Sequence, residues 1–172
     1  ETPDEVFDSM MQVNYFGTVN VTRSLLPHFY AQKSGHVCNV GSMLGFMGIY
    51  GYTAYASSKY AITGFSDCLR QEFIDHGIGI TVVFPPDTDT PQLAMENEIK
   101  PPETKAIAGE VKMMSAEAVA LAMLKGISKG SYHVVPGFMG NFTYWAYRHM
   151  PWLVRFIIDG ALKSYRKKNP LN

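Results

Sequence analysis

Three side chains in the middle of the sequence have the types and the spacing needed to move a proton. Tyr55 and Lys59 are four residues apart, and Ser42 lies thirteen residues before the tyrosine. In a helix, positions four apart share a face, so the phenol and the ammonium would lie side by side. A fixed positive charge favours the phenolate and brings a tyrosine, which titrates near pH ~10 when free, closer to neutral pH. Ser42 would donate a hydrogen bond to an oxygen on which charge changes. This arrangement suits proton transfer to or from an alcohol or carbonyl oxygen, whereas hydride transfer would need a cofactor.

The elements that must position these side chains alternate between helix and strand. Residues 3–30 predict a helix, with Thr2 as its N-cap and Glu5 completing a capping box. Apolar residues recur along it at helical spacing: Val6, Met10, Val13, Gly17 and Val21. The segment GHVCNVGS predicts a strand that ends at Ser42, and residues 53–76 predict a second long helix. Further on, ITVVFP predicts a buried parallel strand, Ser115 an N-cap of an amphipathic helix, and SYHVVPG the last strand.

Composition narrows the class of protein. The 172 residues are 47% hydrophobic and 17% charged, which is typical of a well-buried α/β domain. The net charge is zero, so composition indicates no nucleic-acid partner. Cys38 and Cys68 fall in a predicted strand and helix and are interpreted as reduced core residues, with no metal site. No signal peptide or spanning segment is visible, which favours a cytoplasmic location.

Four segments, taken in order, resemble the short-chain dehydrogenase/reductase family: MQVNYFGTVNVTRSLLP, GHVCNVGSMLG, the Tyr-x-x-x-Lys segment and VVFPPDTDTP. The resemblance implies a catalytic set of Asn14, Ser42, Tyr55 and Lys59. In that family the tyrosine donates the proton, and the serine holds the reacting oxygen. The lysine lowers the tyrosine pKa and hydrogen-bonds the nicotinamide ribose. The asparagine acts indirectly, through a helix kink and a water linked to the lysine.

The same resemblance implies a Rossmann-type doubly wound parallel sheet that binds NADP, with NAD as the alternative. Its expected cofactor contacts in this chain are Tyr55, Lys59, Pro85, Thr88 and Thr90. No Gly-rich phosphate-binding fingerprint precedes the first predicted helix. The chain is therefore expected to be the C-terminal part of a longer domain whose N-terminal strands, roughly 100 residues, are absent from it.

The segment PPDTDTP departs from the Pro-Gly that is usual in the family and resembles a narrower group, the 3-ketodihydrosphingosine reductases. These reduce a long-chain lipid ketone with NADPH. Asp87 and Asp89 are interpreted as turn acids or as ligands for the amine of such a substrate. Two alternatives stay open: a generic reductase of acyl, steroid or xenobiotic carbonyls, and a cofactor-binding regulator without turnover.

Residues 1–140 are expected to belong to one NAD(P)-binding domain, with a substrate lid at about 91–114, and residues 141–172 to form a helical tail. Between 141 and 168 the tail carries six Lys/Arg residues and one acid among aromatic residues, a net charge of +5. This pattern fits either peripheral contact with anionic lipid or ordinary packing on the domain or a second subunit. The family resemblance also implies a homodimer or homotetramer, through the two long helices.

Overall fold

A three-stranded parallel sheet lies at the centre of the computed structural model, which describes residues 2–109 and 113–170. The described residues contain five strands in all: β1 (Gly35–Val40), β2 (Ile78–Val83), β3 (Thr88–Asp89), β4 (Met114–Ser115) and β5 (His133–Val134). The order in the main sheet is β1-β2-β5, and β3 and β4 form a separate parallel pair. Val40 pairs with Val83, and Val83 with Val134, so the carboxyl ends of all three strands lie along one edge. The predicted parallel α/β architecture is confirmed.

Eight α-helices are found in the described residues: α1 (Asp4–Met10), α2 (Gly17–Gln32), α3 (Thr53–Glu72), α4 (Pro91–Ile99), α5 (Pro102–Ala108), α6 (Ala116–Ser128), α7 (Phe138–His149) and α8 (Pro151–Lys168). Helices α2 and α3 pack against β1 and β2 around the buried side chains of Val37, Leu69, Phe73 and Ile80. Helix α6 packs against β2 and β5, and its N-cap is Ser115 as predicted, with Oγ accepting from the Ala118 amide at 3.2 Å.

The first predicted helix is continuous but not regular. A π-helical segment, Met11–Phe16, joins α1 to α2 and contains Asn14. The predicted N-cap is wrong: Pro3 takes the N-cap position, and no side chain caps the first turn. Pro27 lies inside α2, which ends at Gln32, two residues beyond the predicted end at residue 30. Isolated π turns are frequently found at functional sites, so this segment supports a functional role for Asn14.

Two buried serines of α3 hydrogen-bond asparagine side chains on neighbouring elements. Ser58 accepts a hydrogen bond from the Asn14 amide at 3.0 Å and donates to the Tyr55 carbonyl at 2.7 Å. Eight residues further on, Ser66 accepts from the Asn39 amide at 2.8 Å and donates to the Ile62 carbonyl at 2.7 Å. Both serines are fully buried. Because unpaired polar groups are costly in a core, these pairs specify how α3 sits against the π segment and β1.

The segment predicted as a lid forms two short helices, α4 and α5, although its sequence is poorly periodic. Residues 110–112 of this segment lie outside the described residues. Residue 1 of the predicted domain and residues 171 and 172 of the predicted tail lie outside them as well. Helix α5 is hydrogen-bonded to the loop before α3: the buried Thr104 hydroxyl donates to the Tyr50 carbonyl at 2.8 Å. The intervening Gly51 has φ +85°, and a Cβ there would lie 2.7 Å from Thr104 Oγ1. The start of α3 and the lid segment are therefore joined.

Candidate active site

The predicted site residues meet at the carboxyl edge of the sheet. Ser42 follows β1 in an extended conformation, and its Oγ accepts a hydrogen bond from the Leu44 amide at 3.1 Å. The loops after β1 and β2 are joined by two backbone bonds, from the Gly41 amide to the Val83 carbonyl at 2.8 Å and from the Met43 amide to the Pro85 carbonyl at 3.2 Å. Ligands of open α/β sheets bind beyond the carboxyl ends of the strands, so Ser42 stands where a substrate would be held.

Tyr55 and Lys59 lie one turn apart on α3 and face the same edge. The Lys59 ammonium lies over the Tyr55 ring, with Nζ 5.6 Å from the ring centroid, and donates to the Val40 carbonyl at 3.2 Å. Burial lowers the pKa of Lys59, while the negative charge of Glu96 raises it. The structure thus brings the predicted pair together and ties Lys59 to the end of β1.

The electrostatics of Tyr55 differ from the sequence-based expectation. Burial raises the pKa of its phenol, the hydrogen-bonding interaction with Ser42 lowers it, and the charges of Glu96 and Asp87 raise it again. The net direction is upward, so the expected lowering by Lys59 is not found here, because the ammonium lies over the ring and the phenol is buried beside two carboxylates. A raised pKa keeps the phenol protonated at neutral pH.

Asn14 reaches this pair through Ser58, a residue that the sequence analysis missed. Its amide nitrogen donates to Ser58 Oγ, which donates in turn to the carbonyl of Tyr55 itself. The Asn14 carbonyl accepts from Thr18 Oγ1 at 2.7 Å. Asn14 therefore reaches Tyr55 only through Ser58 and the backbone of α3. This contact is indirect, as was expected for Asn14. The link to Lys59 through a water remains a prediction.

We expect Asn14→Ala and Ser58→Ala each to lower the free energy of unfolding of the protein by about 0.5–1.5 kcal/mol, the usual net contribution of one hydrogen bond, since each removes the bond between the two side chains. The double variant should cost clearly less than the two single variants added together, because both remove one shared interaction. Urea unfolding of the four proteins measures this coupling. Strict additivity of the two losses would show that the Asn14–Ser58 bond contributes nothing. The exposed Ser24→Ala in α2 is a control for loss of a serine hydroxyl on a helix.

Pro85, Thr88 and Thr90, the other predicted contacts, follow β2 at the same edge. Thr88 Oγ1 donates to the Pro86 carbonyl at 2.8 Å, and the backbone of Thr88 pairs with Met114. Thr90 caps α4, with Oγ1 accepting from the Leu93 amide at 3.3 Å. The Thr90 hydroxyl therefore keeps its own proton free for a further acceptor.

Glu96 is the second residue of the site that the sequence did not single out. It lies on α4, where Oε2 accepts from the Tyr52 phenol at 3.4 Å and Oε1 accepts from the Gln92 amide at 2.8 Å. The Tyr52 and Tyr55 rings meet edge to face with centroids 5.9 Å apart. Burial, then the Glu96 and Asp87 charges, raise the pKa of Tyr52. Neither periodicity nor a motif marks Glu96, because its partner at the site, Tyr52, lies 44 residues away in sequence.

The loop between Ser42 and α3 lies beside a hollow of about 580 Å³. Gly48, Ile49 and Tyr50 line this hollow, together with parts of α3, α5 and α8. Tyr55 and Lys59 are not among its lining residues. The loop thus forms a wall, but of a hollow separate from the phenol.

The residues at the carboxyl edge fit the nicotinamide end of a dinucleotide. A lysine ammonium has three donors, and Lys59 uses one of them on the Val40 carbonyl, which leaves donors for ribose hydroxyls. Thr90 keeps its hydroxyl proton for a carboxamide oxygen. Among the described residues, no group of three or more His, Cys, Asp and Glu side chains lies close enough to hold a metal ion.

Comparison with known proteins identifies the family. The family model for short chain dehydrogenase matches residues 1–101. The 3-ketodihydrosphingosine reductase of Dictyostelium discoideum is 40% identical over 136 residues, covering 78% of this chain and 41% of the relative. The 3-dehydrosphinganine reductase of Danio rerio is 40% identical over 126 residues, covering 73% of this chain and 38% of that relative. The chain thus spans about two fifths of the length of these relatives.

The fold agrees with that match. A short chain dehydrogenase from Burkholderia cenocepacia, solved in complex with NADP, superposes with a TM-score of 0.76 at 22% identity, covering 91% of this chain and 60% of that one. This likeness shows the Rossmann-type fold. With the family model matched over more than half of its residues, the chain belongs to the short-chain dehydrogenase family.

Proposed function

We propose that the protein of which this chain is part is an NADP-dependent oxidoreductase that reduces a long-chain ketone such as 3-ketodihydrosphingosine. The observation that carries the proposal is the convergence of Ser42, Tyr55 and Lys59 at the carboxyl edge of the sheet. The names of the relatives support the substrate, and the NADP-bound structural neighbour supports the cofactor. NAD stays the alternative cofactor.

In this proposal Tyr55 supplies the proton, and Ser42 and Lys59 hold the substrate oxygen and the cofactor. Ketone reduction places a proton on the carbonyl oxygen, and Tyr55 is a phenol that burial keeps protonated at neutral pH. Ser42 donates a hydrogen bond to the same oxygen and so stabilises the charge that develops on it. Lys59 binds the ribose hydroxyls with the ammonium donors that the Val40 carbonyl leaves free. The nicotinamide, when bound, supplies the hydride.

The test is oxidation of NADPH and of NADH by the full-length protein with 3-ketodihydrosphingosine, beside a panel of unrelated ketones. We expect selective oxidation of NADPH with the sphingoid ketone. Turnover only with other ketones would keep the mechanism and reject the lipid substrate. Cofactor binding without turnover of any ketone would favour the regulator instead.

We also propose that α7 and α8 contact a membrane surface, where a lipid ketone resides. The two helices expose large apolar side chains beside their basic residues: Phe138, Met139, Phe142, Trp145, Trp152, Phe156 and Ile157. Aromatic and basic residues on one surface suit the interface of an anionic bilayer. In the described part of the chain, no helix is long and apolar enough to span a membrane.

Trp152→Ser together with Phe156→Ser should weaken binding to phosphatidylserine vesicles by about 100-fold or more, since each large side chain contributes about 1.5–3 kcal/mol when buried. Sedimentation with vesicles of increasing phosphatidylserine content measures the affinity. Leu121→Ser, which removes an exposed apolar side chain from α6, is the matched control. Equal binding by all three proteins would favour a tail that only packs against protein.

The oligomer implied by the family is a proposal with one supporting observation. Val13 and Val21, on the first long helix, are 71% and 64% exposed. An exposed apolar row on such a helix suits contact with a second copy. Sedimentation velocity of the full-length protein would give the mass of the assembly, and a monomer at micromolar concentration would reject the proposal.

A further inference from the structure

Two hydrogen bonds orient the Glu96 carboxylate near the phenol of Tyr55. Its two carboxylate oxygens accept hydrogen bonds from different elements, one from Gln92 on α4 and one from Tyr52 at the start of α3. Tyr52 lies against Tyr55 edge to face, so the carboxylate is one aromatic ring away from the phenol. Both donors are neutral, and they orient the carboxylate without removing its charge.

The charge of Glu96 is not balanced by a neighbouring ion pair. Asp87, the other carboxylate near Tyr55, is paired with Lys100, whose nitrogen lies 3.8 Å away and whose side chain is almost fully buried. That pair is the only one among residues 2–109 and 113–170, so Glu96 has no cationic partner there. Lys59 is within electrostatic range, but its hydrogen bond goes to the Val40 carbonyl.

An unbalanced carboxylate works against the chemistry proposed for Tyr55. Once the phenol has given its proton to the substrate, a phenolate remains, and a nearby negative charge disfavours it. The pKa of Tyr55 is raised in part by this charge. A positive charge on the bound substrate would offset this penalty at the moment of reaction, because it would pair with the carboxylate while the phenolate develops.

We propose that Glu96 binds a cationic group that the substrate carries beside its carbonyl, which makes this site selective for α-ammonium ketones. The inference rests on the proposed reductase function and specifies the substrate of the same site. The ketone group binds at Ser42 and Tyr55, and an ammonium on the adjacent carbon meets the Glu96 carboxylate with Tyr52 beside it. The ketone of a sphingoid base has this arrangement, with its amine on the carbon next to the carbonyl.

Two ketones of identical chain length separate charge recognition from recognition of the alkyl chain. One is 3-ketodihydrosphingosine, and the other is the same ketone with hydrogen in place of the amine. NADPH oxidation by the full-length protein in the same detergent micelles gives kcat/KM for each. We expect Glu96→Gln to reduce the preference for the cationic ketone by about 10- to 100-fold, the range expected for one hydrogen bond to a charged group.

Two further variants keep the test decisive. Glu96→Asp retains the charge and should retain most of the preference. Glu98→Gln removes an exposed carboxylate from the same helix and should leave the preference at the wild-type value. NADPH binding by each variant, followed by fluorescence, confirms that the protein is folded.

The outcomes distinguish the inference from the function on which it rests. A wild-type preference for the cationic ketone that persists in Glu96→Gln overturns the inference and leaves the reductase function in place. Equal turnover of the two ketones by the wild-type protein also overturns it. Turnover of neither ketone by the wild-type protein overturns the proposed substrate, and the inference with it.

Discussion

Replacing Tyr55 by phenylalanine should lower kcat for ketone reduction by about 10²–10⁴-fold, because it removes the hydroxyl that we propose as the proton donor to the carbonyl oxygen. The ring stays, so its edge-to-face contact with Tyr52 and its contact with the Lys59 ammonium are preserved. Binding of NADPH, followed by fluorescence, should change little. The loss should therefore appear in kcat at saturating substrate and cofactor.

A tyrosine on another face of the same helix provides the matched control for this experiment. Tyr60 is 41% exposed, and its phenol interacts with Tyr147 of α7. Tyr60→Phe removes the same hydroxyl from α3 and should leave kcat within about two-fold of wild type, as expected for a hydroxyl with no part in the proton transfer. Near-normal turnover by Tyr55→Phe, or equal losses in both variants, would reject Tyr55 as the proton donor.

The parts of the site that could be predicted from sequence are those set by local pattern. Ser42 follows a short β-branched run, and Tyr55 and Lys59 share a helical face, so strand and helix periodicity place them once the sheet is parallel. The same reasoning places Ser115 at a helix start. In each case the informative residues are neighbours in the sequence.

The parts that could not be predicted depend on contacts between distant polar side chains. Asn14 and Ser58 are 44 residues apart, as are Tyr52 and Glu96, and no periodicity links such pairs. The direction of the Tyr55 pKa shift was missed for the same reason, since it depends on burial and on Glu96. The predicted capping box failed because Pro3 took the N-cap position, which removed Thr2 from the role.

Phe84 is a large, fully buried side chain whose loss should cost much stability. It is 1% exposed, follows β2 directly, and its amide donates to the Val134 carbonyl at 2.8 Å. Its ring meets Phe46 at 5.3 Å, edge to face, and stacks with Tyr144 of α7 at 5.9 Å. It thus joins the sheet, the loop after Ser42 and the C-terminal helices in one core.

Phe84→Ala should lower the free energy of unfolding by about 3–5 kcal/mol, which combines the lost transfer energy of the ring with the cavity left behind. Urea unfolding of the full-length protein, monitored by tryptophan fluorescence, measures the change through the environment of Trp145 and Trp152 on the helices that this core supports. Phe138→Ala is the matched control, because that ring is 83% exposed and its removal should cost less than about 0.5 kcal/mol. A loss for Phe84→Ala no larger than the control would mean that α7 is not held to the sheet through this ring. If the loss is as large as expected, the C-terminal helices belong to the same cooperative unit as the catalytic edge, and the surface proposed to meet lipid is fixed relative to Tyr55.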